Sequence, residues 1–424
     1  MPLWFRLVYR LLWLFALPFA LIRLWRKGGA NPGYRLHWRE RLALTLPTGP
    51  FDVWIHAVSV GEARAMMPLV DVLLPSNPRL LVTCTTPTGR ATAVSLLANL
   101  GERATVAYLP FDAPWLMAKF LRATNPKLGL LIETELWPGV CDAAKQAGVP
   151  LWLVNARLSA RSARGYARGG ALTQAMLGCL SGIAAQSEAH AARFRALGAS
   201  NVTVTGNMKF DLNLPVDVSA QAETLATHLT HGRDFWVAGS TRDGEEALLC
   251  DALANHPLRY RTVAVIVPRH PERWDAVFVA ATSRGFRVAR RSDATVPADA
   301  EVVIGDSMGE MLSYYGQARA VLMGGTLGGT GGQNLIEPCA LGVPVVLGPS
   351  VFNFQQAADE AISVGAAVAV PHADAALDAL LHWIESPAMR DEAGANAYAF
   401  VAAHRGATQR TMRLLQSSSE RSAA

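Results

Sequence analysis

The chain has 424 residues, of which 51% are apolar and 17% charged, and its net charge is +5. This composition excludes intrinsic disorder, and the length exceeds the roughly 250 to 300 residues at which single cores stop growing, so we expect two domains. The positive charge favours anionic partners, but the sequence has no RNP motif and no zinc-finger spacing, so we expect no nucleic acid among them.

The first predicted element is an apolar segment near the N-terminus. Residues 11 to 22 carry no charge, and basic residues flank them at Arg6, Arg10, Arg23, Arg26 and Lys27. The uncharged run is shorter than the roughly 20 residues that span hydrocarbon, and no small-residue cleavage site follows it. We expect residues 1 to 27 to be a retained anchor that binds anionic lipids and keeps the main body cytoplasmic, with a buried core helix as the alternative. Whether the anchor spans the bilayer or lies in it is left open.

Two series of short apolar runs follow, and turn and helix signals separate the runs. The first series comprises residues 53–55, 80–82, 106–109, 128–132, 151–154 and 202–204; the second, after a polar stretch at 211–234, comprises 235–237, 263–267, 302–304, 321–323 and 343–347. Continuous apolar runs between helical patterns predict parallel strands covered on both faces. We expect two doubly wound α/β domains, residues 28–214 and 215–424, with a last helical segment near 389–416 as a candidate to cross back.

Ligands of such folds bind beyond the carboxyl ends of the strands, so the residues after each strand are the candidates for chemistry. The segment His56 to Glu62 follows the opening strand, and Gly61 permits a tight turn into a helix that Glu62 would open. A carboxylate there can act as a general base towards a hydroxyl. The alternative is that Glu62 only complements the helix dipole, which is worth at most about 1 kcal/mol.

Two more acids, Glu133 and Glu135, stand beside Trp137 at the end of another predicted strand. Buried without partners they would be costly, so we expect them to meet cations or hydroxyl groups. The alternative is that Thr134 caps a helix and Glu135 lies in solvent.

Basic residues follow in the same predicted domain. Arg157, Arg161, Arg164 and Arg168 are spaced to share one helix face, which predicts either a site for lipid phosphates or an ordinary solvated face. Lys209, near the predicted linker, can reach a phosphate or be a plain surface lysine.

In the second predicted domain, hydroxyl and basic residues follow two strands, at Ser240, Thr241 and Arg269. These residues are suited to bind a phosphate or a carboxylate. The alternative is that the hydroxyl residues only cap a helix and that Arg269 is an ordinary surface residue. The glycine-rich stretch 324–332 leads into a predicted helix, which lets the backbone approach a phosphate and lets Glu337 accept ribose hydroxyls. Since the Walker lysine and the ordered G-x-G-x-x-G are missing, neither an ATPase nor a dehydrogenase is supported, and a flexible linker is the alternative.

Metal chemistry has little support in the sequence. No Asp-x-Asp occurs, and the five cysteines are odd in number without a C-x-x-C pair. We therefore expect no metal and no cofactor, with the charge of a leaving nucleotide met by Arg, Lys and helix dipoles.

Taken together, these segments resemble the transferases of 3-deoxy-D-manno-octulosonic acid (Kdo), over essentially the whole chain after the anchor. The segments that carry the resemblance are His56–Glu62, Thr86–Gly89, Glu133–Pro138, Asn155–Ser162, Gly206–Phe210, Ser240–Glu246, Val267–Arg273, Gly305–Leu312 and Gly324–Pro338. One departure is Gln333, where many members carry His. Glutamine can form hydrogen bonds but cannot carry the positive charge of a protonated imidazole.

The resemblance implies a GT-B glycosyltransferase: two Rossmann-like domains with a deep interdomain cleft, at the cytoplasmic side of a Gram-negative inner membrane. It implies CMP-Kdo as donor and the lipid A precursor lipid IVA as acceptor in lipopolysaccharide biosynthesis. By this analogy Glu62 is the general base of an inverting displacement, and Glu133 and Lys209 stabilise the transition state. The implied CMP contacts are Pro268, Arg269, Gly309, Glu310, Met311, Asn334, Leu335, Ile336 and Glu337.

Two rival functions are a GT-B transferase that uses a UDP-sugar on another membrane lipid, and a silent membrane-tethered nucleotide-binding protein. Acids after two separate strands argue against the tether. Members of the family that transfer one Kdo unit and members that transfer several are expected to share all these motifs.

Overall fold

The structure is a computed structural model that describes residues 1 to 423, with Ala30 and residues 419 to 423 described by backbone alone. The chain forms two compact units. Unit 1 comprises residues 1–211 and the end of the chain from Arg405, and unit 2 comprises Leu212–His404. The boundary expected from the sequence, between residues 214 and 215, lies close to this division.

Unit 1 contains a parallel sheet of seven strands in the order β3-β2-β1-β4-β5-β6-β7. The strands are β1 Phe51–His56, β2 Leu80–Cys84, β3 Ala104–Tyr108, β4 Pro126–Ile132, β5 Leu151–Ala156, β6 Gly182–Ala185 and β7 Val202–Val204. The sequence missed β6, whose residues Gly-Ile-Ala-Ala are all buried but offer few large apolar side chains.

Alternate residues of the unit 1 strands serve two separate cores. Trp54 packs with Leu81, Leu131 and Leu153 on one face of the sheet, whereas Ile55 and its counterparts on the neighbouring strands form the core of the other face. Because successive side chains of a strand point to opposite faces, a run that is apolar throughout must be covered on both. Helices supply that cover, which confirms the predicted doubly wound arrangement.

Unit 2 repeats the arrangement with seven parallel strands in the order β10-β11-β9-β8-β12-β13-β14. They are β8 Phe235–Thr241, β9 Val263–Pro268, β10 Val288–Arg290, β11 Val302–Ile304, β12 Val321–Met323, β13 Val345–Leu347 and β14 Ala367–Ala369. The two strands that the sequence missed, β10 and β14, are the short edge strands, where one neighbouring strand is absent and the apolar pattern is weakest.

The helices of unit 1 are α1 Leu3–Ala30, α2 Trp38–Arg41, α3 Val60–Ala65, α4 Met67–Leu73, α5 Pro87–Leu96, α6 Pro114–Thr124, α7 Pro138–Ala147, α8 Ala160–Ala167, α9 Ala171–Leu177, α10 Glu188–Ala196 and, at the end of the chain, α20 Ala407–Ala423. Those of unit 2 are α11 Val218–Thr230, α12 Glu245–Leu253, α13 Leu258–Arg261, α14 Trp274–Thr282, α15 Met311–Tyr315, α16 Ile336–Ala340, α17 Gln355–Ser363, α18 Ala373–Glu385 and α19 Pro387–His404. Short 3-10 helices lie at Pro32–Arg35, Leu74–Ser76, Ala98–Arg103, Met208–Phe210 and Pro271–Arg273.

Helix α1 contains the apolar segment and is held against unit 1 near its start. Its residues Leu3–Gly29 are long and apolar enough to cross a membrane, with a mean hydropathy of 1.8. The guanidinium of Arg6 lies 2.8 Å from the carboxylate of Asp142, and the Tyr9 hydroxyl donates to Asp112 at 2.6 Å. The first half of α1 therefore packs on α7 and on the segment before α6 through charged and polar contacts.

The chain that follows α1 also returns to unit 1. Arg35 stacks its guanidinium over the Trp25 ring at 4.6 Å, and Gly33 packs so closely on Pro87 that an added Cβ would lie 2.8 Å from the proline Cβ. A few residues later, the Glu40 carboxylate accepts the Tyr108 backbone N–H at 2.7 Å. Both ends of α1 are thus tied to the same unit.

The single helical segment expected near residues 389–416 is two helices, α19 and α20, separated at Gly406 with φ +90°. The Asp211 carboxylate accepts the backbone N–H groups of Gly406 and Thr408, both at 2.6 Å. Met412 and Leu415 of α20 pack into the unit 1 core with Met208. The chain therefore ends in the unit in which it begins.

Candidate active site

Glu62 lies in the first turn of α3, directly beyond the carboxyl end of β1. Ser59 caps this helix by accepting the Glu62 backbone N–H, and the Glu62 carboxylate accepts the Val58 N–H at 2.6 Å and the Ser59 hydroxyl at 3.2 Å. This is a capping-box geometry shifted by one residue, so the Glu62 side chain also has a structural role at the start of α3. It leaves part of each carboxylate oxygen's accepting capacity available.

The pKa of Glu62 is raised from its ordinary value to about 7. Burial is the main cause, and the nearby carboxylates of Glu133 and Glu135 raise it further, while the hydrogen bonds from Val58 and Ser59 oppose the shift. An acid with a pKa near neutrality can take up and release a proton at physiological pH, as a general base must.

Glu133 directly follows β4 and adopts the left-handed backbone region, at φ +62°, with its side chain buried. Its carboxylate accepts from the Lys209 ammonium at 2.6 Å and lies 3.3 Å from the Arg157 guanidinium. Burial acts to raise the pKa of Glu133, but the two cations outweigh it and the pKa is lowered. The structure therefore gathers Glu62, Glu133 and Lys209 at one edge of the sheet, with Glu133 ionised and Glu62 titrating near pH 7.

The capping role considered for Thr134 is wrong. Trp137 occupies the N-cap position of α7 without a side-chain cap, and the buried backbone N–H groups of Gly139 and Val140 in the first turn donate instead to Asp112, at 2.8 and 2.7 Å. Asp112 is buried, which raises its pKa to about 6. Local spacing could not reveal this cap, because it comes from a residue that follows a different strand.

Glu135 is not simply solvated either. It accepts the indole N–H of Trp137 at 2.8 Å, and burial raises its pKa. The arginine stripe also differs from the expected one, since Arg157 precedes α8 and pairs with Glu133. Arg161, Arg164 and Arg168 remain exposed on or beside α8.

In unit 2, the corresponding edge of the sheet centres on Tyr315, which the sequence did not single out. Its ring is buried, and its hydroxyl forms a hydrogen bond with the Ser240 side chain. Ser240 adopts φ +58° near the end of β8. Burial raises the pKa of Tyr315 well above its ordinary value; nearby Glu337 adds to this shift and Arg269 opposes it. Arg269 and Glu337, predicted from separate motifs, therefore lie around one tyrosine.

The other residues implied for the nucleotide site lie at the same carboxyl edge. Pro268 ends β9, and the backbone N–H of Arg269 donates to Thr241 at 3.0 Å. Gly309 adopts φ +88° just before α15, where Met311 begins the helix, and Glu310 pairs with Arg291 at 3.1 Å.

At the start of α16, the Asn334 side chain accepts the Ile336 N–H and donates to Glu337. The side chains of Leu335 and Ile336 are buried in the unit, so these two positions can offer a ligand only backbone groups.

The glycine-rich stretch is hydrogen-bonded rather than a loose linker. The buried carboxylate of Glu245 accepts the backbone N–H groups of Gly325, Leu327 and Gly328 at 2.6, 2.8 and 3.0 Å. These three N–H groups are therefore directed at a protein carboxylate, which limits the expected phosphate cradle to the later part of the stretch. An acid directly after Gly244 is visible in the sequence, but its partners some 80 residues later could not be inferred from it.

Comparisons with known proteins find similarity to transferases of 3-deoxy-D-manno-octulosonic acid. Residues 36–212 match the family model described as 3-deoxy-D-manno-octulosonic-acid transferase (kdotransferase). The chain is 40% identical to the 3-deoxy-D-manno-octulosonic acid transferase of Bordetella pertussis, over 86% of each chain. It is 35% identical to the protein of that name from Haemophilus influenzae, over 98% of this chain and 99% of that one.

Among solved structures, Anabaena Alr3699/HepE in complex with UDP matches 87% of this chain and 100% of its own, with a TM-score of 0.59 and 16% identity. At that identity the likeness concerns the two-sheet fold.

Proposed function

The chain belongs to the Kdo transferase family, has the GT-B fold, and is a glycosyltransferase; we propose that it transfers Kdo from CMP-Kdo to lipid IVA, by inversion and without a metal ion. The observation that carries this proposal is the carboxylate of Glu62 at the edge of the unit 1 sheet, with a pKa of about 7 and an ionised Glu133 nearby.

Glu62 takes the proton in the proposed reaction. The acceptor hydroxyl oxygen forms a bond to the anomeric carbon of Kdo as the bond from that carbon to the CMP phosphate oxygen breaks. The hydroxyl proton passes to Glu62, and the electron pair leaves with the CMP phosphate. General-base assistance of this kind is typically worth about 10² to 10⁴ in rate.

Glu133 and Lys209 have a combined electrostatic role. Glu133 raises the proton affinity of Glu62, and its hydrogen bond fixes the Lys209 ammonium. A fixed cation stabilises negative charge that develops in the transition state without further reorganisation, which makes it more effective than a mobile lysine.

The donor nucleotide is proposed to bind unit 2. Arg269 offers a planar fork for the phosphate, and Glu337 offers a carboxylate for the ribose hydroxyls. Leu335 and Ile336 contribute through the backbone, since their side chains are buried. Pro268, Gly309, Glu310, Met311 and Asn334 complete the proposed set.

We propose further that α1 attaches the enzyme to the cytoplasmic face of the inner membrane by lying in the surface of the bilayer. A 28-residue helix is about 42 Å long, enough to cross hydrocarbon of about 30 Å. Crossing would place its ends on opposite sides of the membrane, whereas Arg6 and Gly33 both contact unit 1. Large side chains such as Phe15 and Phe19, both more than 70% exposed, are then free to enter the lipid.

The test is transfer of Kdo to lipid IVA in detergent, with CMP-Kdo generated in situ and no divalent metal beyond that of the generating enzyme. Labelled lipid with the wild-type protein, a loss of about 10² to 10⁴ with Glu62→Gln, and near-normal transfer with Glu188→Gln, an exposed acid of the same unit, would support the proposal. No transfer by the wild-type protein, together with binding of UDP rather than CMP, would replace CMP-Kdo with a UDP-sugar donor.

A further inference from the structure

We propose that Glu245 is the positioning residue of the glycine-rich stretch 324–332: its carboxylate occupies the inside of this loop and holds it in the donor-binding conformation before any nucleotide arrives. Glu245 is not among the nucleotide contacts that the family resemblance implies. The proposal rests on the proposed function only in taking CMP as the nucleotide that the loop serves.

The first observation is the number of donors that converge on one side chain. Glu245 is 1% exposed, and four backbone N–H groups donate to its carboxylate. One oxygen accepts from Arg242 at 2.8 Å and Gly325 at 2.6 Å, and the other from Leu327 at 2.8 Å and Gly328 at 3.0 Å. An ionised carboxylate can accept all four, since each oxygen has two lone pairs.

The second observation is what these donors are. In loops that bind nucleotides, glycine-rich backbone directs several N–H groups at a phosphate. Here the N–H groups of Gly325, Leu327 and Gly328 have the same convergent arrangement, but the anion at its centre belongs to the protein. The loop therefore does not depend on a phosphate for its shape.

The third observation is the place of Glu245 in the chain. It begins α12, directly beyond the carboxyl end of β8, whereas the loop follows β12, the neighbouring strand. The approach is close, since a Cβ on Gly328 would lie 3.0 Å from the Glu245 Cγ. One side chain thus fixes the ends of two adjacent strands relative to each other.

The fourth observation links the loop to the proposed nucleotide contacts. Gly325 accepts the Gly332 N–H at 2.8 Å, and a Cβ on Gly325 would lie 3.2 Å from the Gln333 amide nitrogen. The position of Gly325, set by Glu245, therefore sets where the chain enters Asn334 to Glu337. A second hydrogen bond, in which the Ser350 hydroxyl oxygen accepts the Gly331 N–H at 3.0 Å, holds the far side of the loop.

Substitution by glutamine is a sharp test of this arrangement. The amide keeps the shape of the side chain but turns one acceptor oxygen into an NH₂ group, which would point its hydrogens at two backbone N–H donors. The matched control is Glu301→Gln: Glu301 is also buried, at 3%, and accepts from Arg259 and the Arg287 backbone, but it precedes β11 at the opposite end of the sheet.

The experiment measures three quantities on the full-length wild-type protein and both variants: hydrogen exchange of residues 324–332 without nucleotide, CMP affinity by calorimetry, and steady-state kinetics with CMP-Kdo. For Glu245→Gln we expect faster exchange in the loop, a Kd for CMP raised at least about tenfold, and a rise in KM for the donor that exceeds the fall in kcat. For Glu301→Gln we expect a lower Tm with loop exchange and CMP affinity as in the wild type. Glu245→Asp keeps the charge on a shorter side chain and should restore part of the loop protection.

The proposal is overturned if Glu245→Gln leaves loop exchange unchanged, or if Glu301→Gln weakens CMP binding as much as Glu245→Gln does, which would indicate a general loss of stability. A wild-type protein that does not bind CMP would count against the proposed donor, and loop exchange without nucleotide would still decide whether Glu245 holds the loop.

Discussion

Glu62 and Glu245 occupy the same place in the two units, and their surroundings differ. Each lies in the first turn of the helix that follows the first strand of its sheet, β1 or β8, and each of these strands lies inside its sheet. Glu245 accepts four backbone N–H groups, whereas Glu62 accepts one backbone N–H and one hydroxyl and has two acids nearby.

The difference indicates that the number of hydrogen-bond donors, more than the position in the fold, decides whether an acid beyond a strand end can accept a substrate proton. A carboxylate saturated by fixed N–H groups has no lone pair left for a substrate proton. A carboxylate that is largely buried, accepts fewer hydrogen bonds and lies close to other carboxylates has a raised pKa. Its pKa then lies near the pH at which it can take up a proton.

The largest expected contrast between the two acids is in turnover. At saturating donor, Glu62→Gln should lower kcat by about 10² to 10⁴, because the amide cannot accept the hydroxyl proton, whereas Glu245→Gln should keep kcat within about tenfold of the wild type. Steady-state kinetics with both variants measures this. Equal losses of kcat in the two would erase the distinction between a reacting and a positioning acid.

The next largest effect is expected for Glu133→Gln. Removing this charge takes from Lys209 and Arg157 the carboxylate that they share. Because the Arg157 side chain is 39% exposed and water can solvate it, the loss should cost about 1 to 3 kcal/mol of unfolding free energy. It should also lower the pKa of Glu62, so that the acidic limb of the kcat/KM profile, near pH 7 in the wild type, moves to lower pH. Denaturant melts and pH–rate profiles test both effects. An acidic limb that stays in place would mean that Glu133 does not influence Glu62.

A smaller effect concerns stability at Glu62 itself. Its folded pKa of about 7 lies above the ordinary 4.5, so the folded state binds more protons between these values and loses stability as pH rises through this window. Glu62→Gln should remove that loss and stabilise the protein by about 1 to 3 kcal/mol at pH 8, but not at pH 4. Thermal melts at both pH values measure this gain. A variant that is destabilised at pH 8 would show that the capping contact dominates.

The smallest effect is expected for Ser59→Ala. The variant loses the N-cap of α3, worth about 0.5 to 2 kcal/mol, and removes a hydroxyl that lowers the pKa of Glu62. The acidic limb of the rate profile should therefore move slightly upward in pH, opposite to the shift with Glu133→Gln. Ser162→Ala, on exposed α8 of the same unit, is the control, and a downward shift with Ser59→Ala would contradict this account.

The sequence predicted those parts of the fold that large apolar side chains carry. The runs at 53–55 and 263–267 lie within real strands, whereas Gly182–Ala185 was missed because small residues give little apolar signal even when buried. The residues around Glu62 and Glu133 could be proposed from their places after strands. Some contacts could not be found from the sequence, because they join residues far apart in the chain. Asp112 caps a helix that begins 26 residues later, and Arg157, which was expected on a helix, precedes α8 and pairs with Glu133.

The return of the chain to unit 1 through α20 has a consequence for biogenesis. Unit 1 uses both ends of the chain, so unit 2 is in effect an insertion within it. During synthesis, Met412 and Leu415 can pack against Met208 only after the whole of residues 212–404 has been made. At about 5 to 20 residues per second, this takes roughly 10 to 40 s. During that interval the apolar surface on which α20 packs stays uncovered, and uncovered apolar surface of this kind promotes aggregation.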